Sequence, residues 1–488
     1  MKRKSFARLF VATTLSFLTL VVGAAVWMSP RTAGLIAEIG NSANGVIITN
    51  VRLFDGHEAR LKPVAGVRVD GEYISDIYEA VLPADDRALV IEGQGRVLMP
   101  SLIDFHVHFG MADGQPVWGG GPSRIPDLAR QNESFLYAGV TSVVLGSGNP
   151  LAPFLPSSLY EPNRYETGRQ VVAEEGHPIL MLRELVPWPV NDYFASRLTL
   201  PFAPGAVDEA AVRALAAEDI NHVKLIFDDA IPWGAPRLTE EDVVRVSGIV
   251  HAAGKPLYVH PGDRYEALVA ATAGADVLMH TPFVDPFLPE DLVLLAGAGT
   301  HFVTTSQIWL WLARGLPDAP GFSDLERTLM PVPVRDAFMG PREAALASYQ
   351  SPHFSTSYLQ RIPLFDQMVE RNIKAMYQAG VPLVAGTDTG VPGLTYGASL
   401  VFELERLQGF GMAPVDVLRA ATSVPGRLLD RDPARQGGRL GTVSVGAPAE
   451  LILLPGNPLE DVRTLQQLDL VFSGGRVFER VIPLARGR

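Results

Sequence analysis

The 488-residue chain contains no cysteine. That absence excludes disulfides, thiolate metal sites, iron–sulfur clusters and cysteine nucleophiles together. An excess of basic charge is missing too. Lys and Arg number 41 against 53 Asp and Glu, a formal net charge of −12. An acidic chain without a basic stripe is a poor partner for nucleic acid. No Gly-x-Ser-x-Gly pentapeptide is present, so the strained serine of the α/β-hydrolases has no counterpart here. There is no low-complexity tract, and no internal repeat beyond an alternation of strand and helix. Histidine is sparse, at ten residues, so the places where those ten fall carry information.

What is present starts with an apolar share of 47%, enough core for one large domain and a smaller one. Lys2, Arg3, Lys4 and Arg8 precede an uncharged apolar stretch from Leu9 to Met28. A basic flank before such a run reads as a secretory signal peptide or an uncleaved membrane anchor over 1–30. Either places the folded part outside the cytoplasm, in the periplasm or tethered facing it if the cell is Gram-negative. Residues 31–44 read as a linker. Short alternating runs follow from Gly45, separated by Gly and Asp as hairpins are, and a matching stretch lies near the far end.

The middle of the chain has a different rhythm. Apolar runs at 102–108, 140–146, 178–185, 222–229, 255–260, 275–280, 301–306 and 381–388 alternate with stretches of helical period. Two of those stretches, ending at Gly254 and Gly380, finish in the glycine that a helix C-terminus favours. Eight strand–helix units in series predict an α/β fold, a (β/α)8 TIM-type barrel, over 99–440. Residues 45–98 plus 441–488 would form a small composite β-sandwich from both flanks. The stretch 307–359 is too long for a simple connection and reads as an insertion, with Trp309 and Trp311, folding over the barrel mouth. The Trp118–Gly121 segment reads as another candidate mouth loop.

Chemistry concentrates at the ends of the apolar runs. His106 and His108 are spaced i, i+2, which puts both imidazoles on one face of a strand. Alone, the pair reads equally well as two half-exposed strand histidines. His260, His280 and Asp388 each close an apolar run, at the level where a barrel opens. Imidazole and carboxylate together suit zinc and neighbouring divalent ions. Lys224 sits inside an apolar strand, where an ammonium is disfavoured. A buried, neutral lysine can add CO2 and become an anionic carbamate able to bridge two cations. An outward lysine snorkelling beneath a helix is the plainer alternative. His57, His177, His222, His251, His301 and His353 read as ordinary. Arg183, Trp188, Asp228, Asp229 and Tyr396 fall near strand ends or mouth loops, and Arg183 there is either a carboxylate clamp or a structural ion pair.

These residues resemble the amidohydrolase superfamily, the metal-dependent hydrolases related to urease, dihydroorotase and phosphotriesterase. The opening stretch Leu98–His108 resembles that family's first motif, with Ser101 where Gly is usual. The segments 416–429 and 441–459 resemble its closing signature, with Glu450 where Asp is usual. The likeness runs from about Val46 to Val477. It implies two divalent ions, zinc first with manganese, iron or cobalt as alternatives. His106 and His108 would hold the more buried ion beside Asp388, carboxylated Lys224 would bridge, and His260 and His280 would hold the second. The implied activity is hydrolysis of an amide or peptide-like C–N bond by a metal-bridging hydroxide, with Asp388 as general acid and base. A dipeptide or N-acyl amino acid is the substrate class that the family analogy favours. Two other readings stand beside it. One is a mononuclear deaminase or cyclic-amide hydrolase, with Lys224 unmodified. The other is a non-catalytic extracytoplasmic metal- or solute-binding protein.

Overall fold

The computed structural model describes residues 31–82, 87–110, 127–148, 150, 158–185, 191–230, 234–309, 321–339, 361–391, 393–430 and 439–481. The leader at 1–30, the Trp118–Gly121 loop, Trp188, Trp311, His353 and most of the 307–359 insertion lie outside them. The N-terminal flank supplies β1 (Ile36–Asn41), β2 (Val46–Leu53), β3 (Lys62–Asp70), β4 (Tyr73–Tyr78), β5 (Leu89–Glu92) and β6 (Val97–Pro100). The middle supplies β7 (Leu102–Val107), β8 (Val140–Leu145), β9 (Asn163–Tyr165), β10 (Gln170–Ala173), β11 (Thr199–Phe202), β12 (Val223–Ile226), β13 (Leu257–His260), β14 (Val277–Leu278), β15 (His301–Val303) and β16 (Leu383–Val384). The C-terminal flank adds β17 (Leu451–Leu454), β18 (Leu470–Ser473) and β19 (Arg476–Arg480).

Both flanks enter one sheet. Among the described residues nine strands join in the order β1-β19-β18-β17-β6-β2-β3-β4, with β5 on β2. The expected linker at 31–44 is therefore corrected. Ile36–Asn41 pairs antiparallel with β19, and Glu133 accepts the backbone N–H of Ala33 (2.6 Å) and Leu35 (2.8 Å). Paired neighbours, absent from a local reading, turn a polar-looking stretch into a strand. Alternation then divides the sheet's residues between two cores. Leu98, Leu451 and Leu453 pack with Val46, Ile48, Val67 and Val69 in a core private to this sheet. Val97, Met99, Ile452 and Leu454 join the main core on the other side. The sheet curls so that Ile74 of β4 bonds backbone to backbone with Gly446 and Ala447, just before β17.

The middle of the chain is α/β. Seven parallel strands run in the order β11-β10-β12-β13-β14-β15-β16, and β7-β8-β9 form a second parallel sheet. Backbone contacts link the two sheets: Thr167 bridges to His222, Phe105 N–H donates to Ala385 O (3.1 Å), and Asp388 N–H donates to His106 O (2.7 Å). The run 178–185, read as the third strand, is instead a helix over Ile179–Leu185. Its Leu and Met residues are good helix formers, and a short apolar run does not distinguish strand from buried helix. The strand of that position is β9 followed by β10, whose Val171 and Val172 are β-branched. The helix Glu240–Ala252 starts at a Thr239 capping box, and Ile362–Ala379 ends at left-handed Gly380, both near the expected bounds.

The junction of the two parts rests on backbone touching backbone. A Cβ on Gly426 would lie 1.9 Å from Leu440 O, and one on Gly441 would lie 2.2 Å from Thr422 O. Gly441 also has φ +76°, a conformation that side chains disfavour. Neither carbonyl can swing away as a side chain would. Gly441→Ala is expected to destabilise the protein by about 2 kcal/mol or more. Thermal unfolding of the variant checks this, and an unchanged midpoint would show that the junction yields.

Candidate metal centre

The strand spacing places the site. His106 is fully buried on β7, and His108 follows two residues later with its ring centroid 5.2 Å away. Lys224 lies level with Tyr258 in the β12–β13 ladder, and His260 ends β13 opposite Ile226. His280 follows β14, with its ring 4.7 Å from that of His106 and 4.2 Å from that of His260. Lys224 Nζ sits 3.4 Å from His106 Nε2. Asp388 Oδ1 lies 3.2 Å from His106 Nε2 and 2.9 Å from His108 Nε2. All six residues expected at the site meet in one place, and Lys224 is buried rather than snorkelling outward.

Asp388 reaches this position through an uncommon backbone. Its φ is +63°, in the left-handed region that Asp tolerates better than most residues. Asp104, also buried, holds the turn. Its carboxylate accepts Thr387 N–H (3.0 Å) and the Thr387 hydroxyl (2.7 Å). His108 N–H donates to Thr389 O (2.6 Å), which locks the strand bearing both histidines to the turn bearing Asp388.

The donor set has a definite electrostatic character. His106 Nδ1 faces Met279 O at 2.9 Å. A carbonyl only accepts, so Nδ1 carries the proton and Nε2 presents a lone pair. That lone pair faces Asp388 Oδ1, a buried atom that accepts no hydrogen bond. Such atoms brought together out of water need a positive charge beside them, from the Lys224 ammonium 3.4 Å from that nitrogen or from a bound cation. Burial pushes the His106 and His280 imidazoles well below their ordinary range and brings His260 down to about 3, with Lys224 adding to the effect. The rings are therefore neutral and release no proton on taking up a cation at neutral pH. Burial likewise lowers the Lys224 ammonium to about 7, against the pull of Asp388. His106, His108 and Asp388 have the atoms and the spacing to hold a divalent ion.

A second group the residue pattern did not single out adjoins the first. His177, Asp228 and His260 have ligand atoms within 4.8 Å of one another. Asp228 Oδ2 lies 3.4 Å from His260 Nε2, and the His177 ring centroid is 5.0 Å from that of His260. The misread third strand hid His177. Placed before a strand at 178–185, it falls at the N-terminal end of the strand; placed after β10, it falls at the C-terminal end, the end that carries His260. The other mouth candidates are engaged in structure. Exposed Arg183 pairs with Glu175 (2.6 Å) and Asp192 (3.5 Å), an ion pair rather than a clamp. Asp229 pairs with Arg237 at 3.2 Å, and the Tyr396 hydroxyl donates to His108 O. Trp309 is packed between Phe283 and Phe365 and is almost fully buried, so it presents no open apolar surface.

Room for the histidine pair depends on Gly146 after β8. A Cβ there would lie 2.6 Å from His106 Nε2 and 2.9 Å from His108 Cε1. Gly146→Ala must displace the two rings, because Gly146 is held through its O by Gln170 (3.0 Å) and its N–H by Val107 O (2.7 Å). We expect a loss of zinc affinity of at least ~10-fold with the circular dichroism unchanged. Parental affinity in the folded variant would refute this packing constraint.

Comparison with known proteins supplies the family. The sequence pattern of the Amidohydrolase family matches residues 97–478. Ochratoxinase of Aspergillus niger is 35% identical over 105 residues, a stretch making up 21% of this chain and 20% of the ochratoxinase. Among solved structures, a Xaa-Pro dipeptidase with bound methionine in its active site aligns with TM-score 0.65 at 21% identity, covering 89% of this chain and all of that one. The A. niger ochratoxinase structure gives 0.61 at 18% identity, covering 89% and 95%. Molinate hydrolase gives 0.65 at 18% identity, covering 90% and 95%. At these identities the structural likeness speaks for the fold, and the family match spans most of the chain: the protein belongs to the amidohydrolase family and is an enzyme of that kind.

Proposed function

We propose that this enzyme hydrolyses an amide or peptide-like C–N bond with two divalent metal ions held by His106, His108, Lys224, His260, His280 and Asp388. The observation that carries the proposal is the meeting of the His106 Nε2 lone pair with the unbonded Asp388 Oδ1 in a buried site. The proposal includes closure of the parallel strands into a (β/α)8 barrel, supported by the backbone bonds that join β7 to the 385–389 segment. It also keeps the extracytoplasmic placement suggested by the basic and then apolar start of the chain.

When bound, the ions would lower the pKa of a shared water towards ~7 and polarise the scissile carbonyl. The chain's own groups do the rest. His106 and His280 are oriented through Nδ1, by Met279 O and by the Thr305 hydroxyl (3.1 Å). The Lys224 amine, lowered to about 7 by burial, is available near neutrality to form a carbamate. Asp388 would take the proton from the attacking water and deliver it to the leaving nitrogen, which leaves as a neutral amine. Lys224, His106 and Asp388 together exclude water from the back of the site, since all three are buried. A dipeptide or N-acyl amino acid is the proposed substrate, a class in keeping with the dipeptidase and ochratoxinase among its structural neighbours.

Elemental analysis of protein produced with zinc is expected to find about two equivalents per chain. One equivalent with full activity would favour the mononuclear reading, and full activity without metal would end the proposal. Lys224→Met should lose at least one equivalent. Asp388→Asn should retain most of the metal and lose turnover by a factor of ~10²–10⁴ on a panel of dipeptides and N-acyl amino acids; a smaller loss would remove Asp388 from proton transfer.

A further inference from the structure

Glu403 is a buried carboxylate that contacts none of the six site residues, yet its bonds lead back to one of them. It lies on the helix Ala398–Gly409 and is fully buried. Its Oε1 accepts Ser306 N–H (3.0 Å), and its Oε2 accepts Gln307 N–H and the Ser306 hydroxyl (both 2.9 Å). Arg406, one turn along, donates to the same Ser306 hydroxyl at 3.2 Å and pairs with Asp366. One carboxylate thus holds two successive N–H groups of the turn that follows β15.

The residue just before that turn is in an unfavourable state. Thr305 has φ +39°, although it is β-branched. Such a conformation is disfavoured for a β-branched residue and persists only where its surroundings impose it. Thr305 N–H donates to Gly386 O (3.1 Å), which fixes one side, and the Glu403 clamp on Ser306 and Gln307 fixes the other. The outcome is that the Thr305 hydroxyl meets His280 Nδ1 at 3.1 Å. With Nδ1 occupied there, His280 has Nε2 left to offer.

We propose that Glu403 is a positioning residue for the metal centre: by clamping 306–307 it holds Thr305 in its left-handed turn, and Thr305 in turn sets the ring orientation of His280. This rests on the metal reading above and extends it to a side chain on a different helix. A carboxylate is needed because it accepts from three donors at once. Gln in its place would turn an NH2 group towards a backbone N–H, leaving donor against donor in a buried site.

The test uses the full-length metal-loaded protein and the variants Glu403→Gln, Thr305→Ala, Thr305→Ser and the Glu403→Gln/Thr305→Ala pair. Competition with a fluorescent chelator reads the zinc affinity of each equivalent, and the visible bands of the cobalt form read ligand geometry. A parent that binds no zinc would bring down the metal reading itself. With a metal-binding parent, Glu403→Gln and Thr305→Ala are each expected to weaken one equivalent by about 10–100-fold and shift its cobalt bands, leaving the other unchanged. Thr305→Ser should keep parental affinity, and the double variant should be no weaker than the weaker single one, because both act through one contact. Unchanged affinity in either single variant, or losses that multiply in the double, would overturn the proposal. If Glu403→Gln does not fold, the Thr305 pair decides, and equal affinity of the Ala and Ser forms overturns it.

Discussion

A carboxylate oxygen and an imidazole lone pair facing each other out of water set the terms for the rest of this site. Asp388 Oδ1 and His106 Nε2 lie 3.2 Å apart, in a place too buried for solvent to screen them. Such an arrangement is unfavourable unless a positive charge, the nearby Lys224 ammonium or a bound ion, lies beside it, so the fold itself must hold the groups together. That force comes from the backbone. The Asp388 N–H on His106 O and the His108 N–H on Thr389 O stitch the two segments, and Asp104 holds the turn between them through Thr387. The side chains meet because the main chain leaves them little alternative.

The same pattern recurs on the other side. Thr305 in its left-handed turn, Asp388 in its own, and the close approach at Gly146 are local states that side chains ordinarily avoid. Each sits beside a proposed ligand, and each is braced by a buried polar group such as Asp104, Gln170 or Glu403. Folding free energy is thereby converted into geometry at the mouth of the α/β part. The cost of ordering the donors is thereby met by the fold.

The flanking sheet serves this arrangement from below. Its strands come from both ends of the chain, and alternate residues of β6 and β17 divide between a private core and the main one. Tight backbone contact at Gly426 and Gly441 presses it onto the helices that close the α/β part. A single sheet that shares its side chains with two cores couples the stability of the flanks to that of the domain they enclose.

Much of this was legible in the residues. The i, i+2 histidines, the terminal positions of His260, His280 and Asp388, and a lysine alone in an apolar strand follow from strand periodicity, which is local and has a period of two. The helices at 240–252 and 362–379 were legible from their own period of 3.6 and from the glycines, Gly254 and Gly380, that follow them. Apolar pattern alone failed at one of the eight runs. The run 178–185 folds as a helix because helix and strand bury such a run equally well, and that one error concealed His177. Residues 36–41 became a strand only because β19 lies beside them.

Taken by itself, the sequence determined which chemistry was available and on which strands, since residue type and alternation are properties of neighbours along the chain. Tertiary structure alone decided that Nδ1 of His106 is the protonated nitrogen, that Arg183 and Tyr396 are engaged elsewhere, that Asp228 and His177 adjoin His260, and that Glu403 braces the turn beside His280. Each of those facts depends on partners from eight to hundreds of residues away or on the conformation of a turn. Hydrogen-bond direction and burial belong to the assembled molecule, and no local pattern carries them.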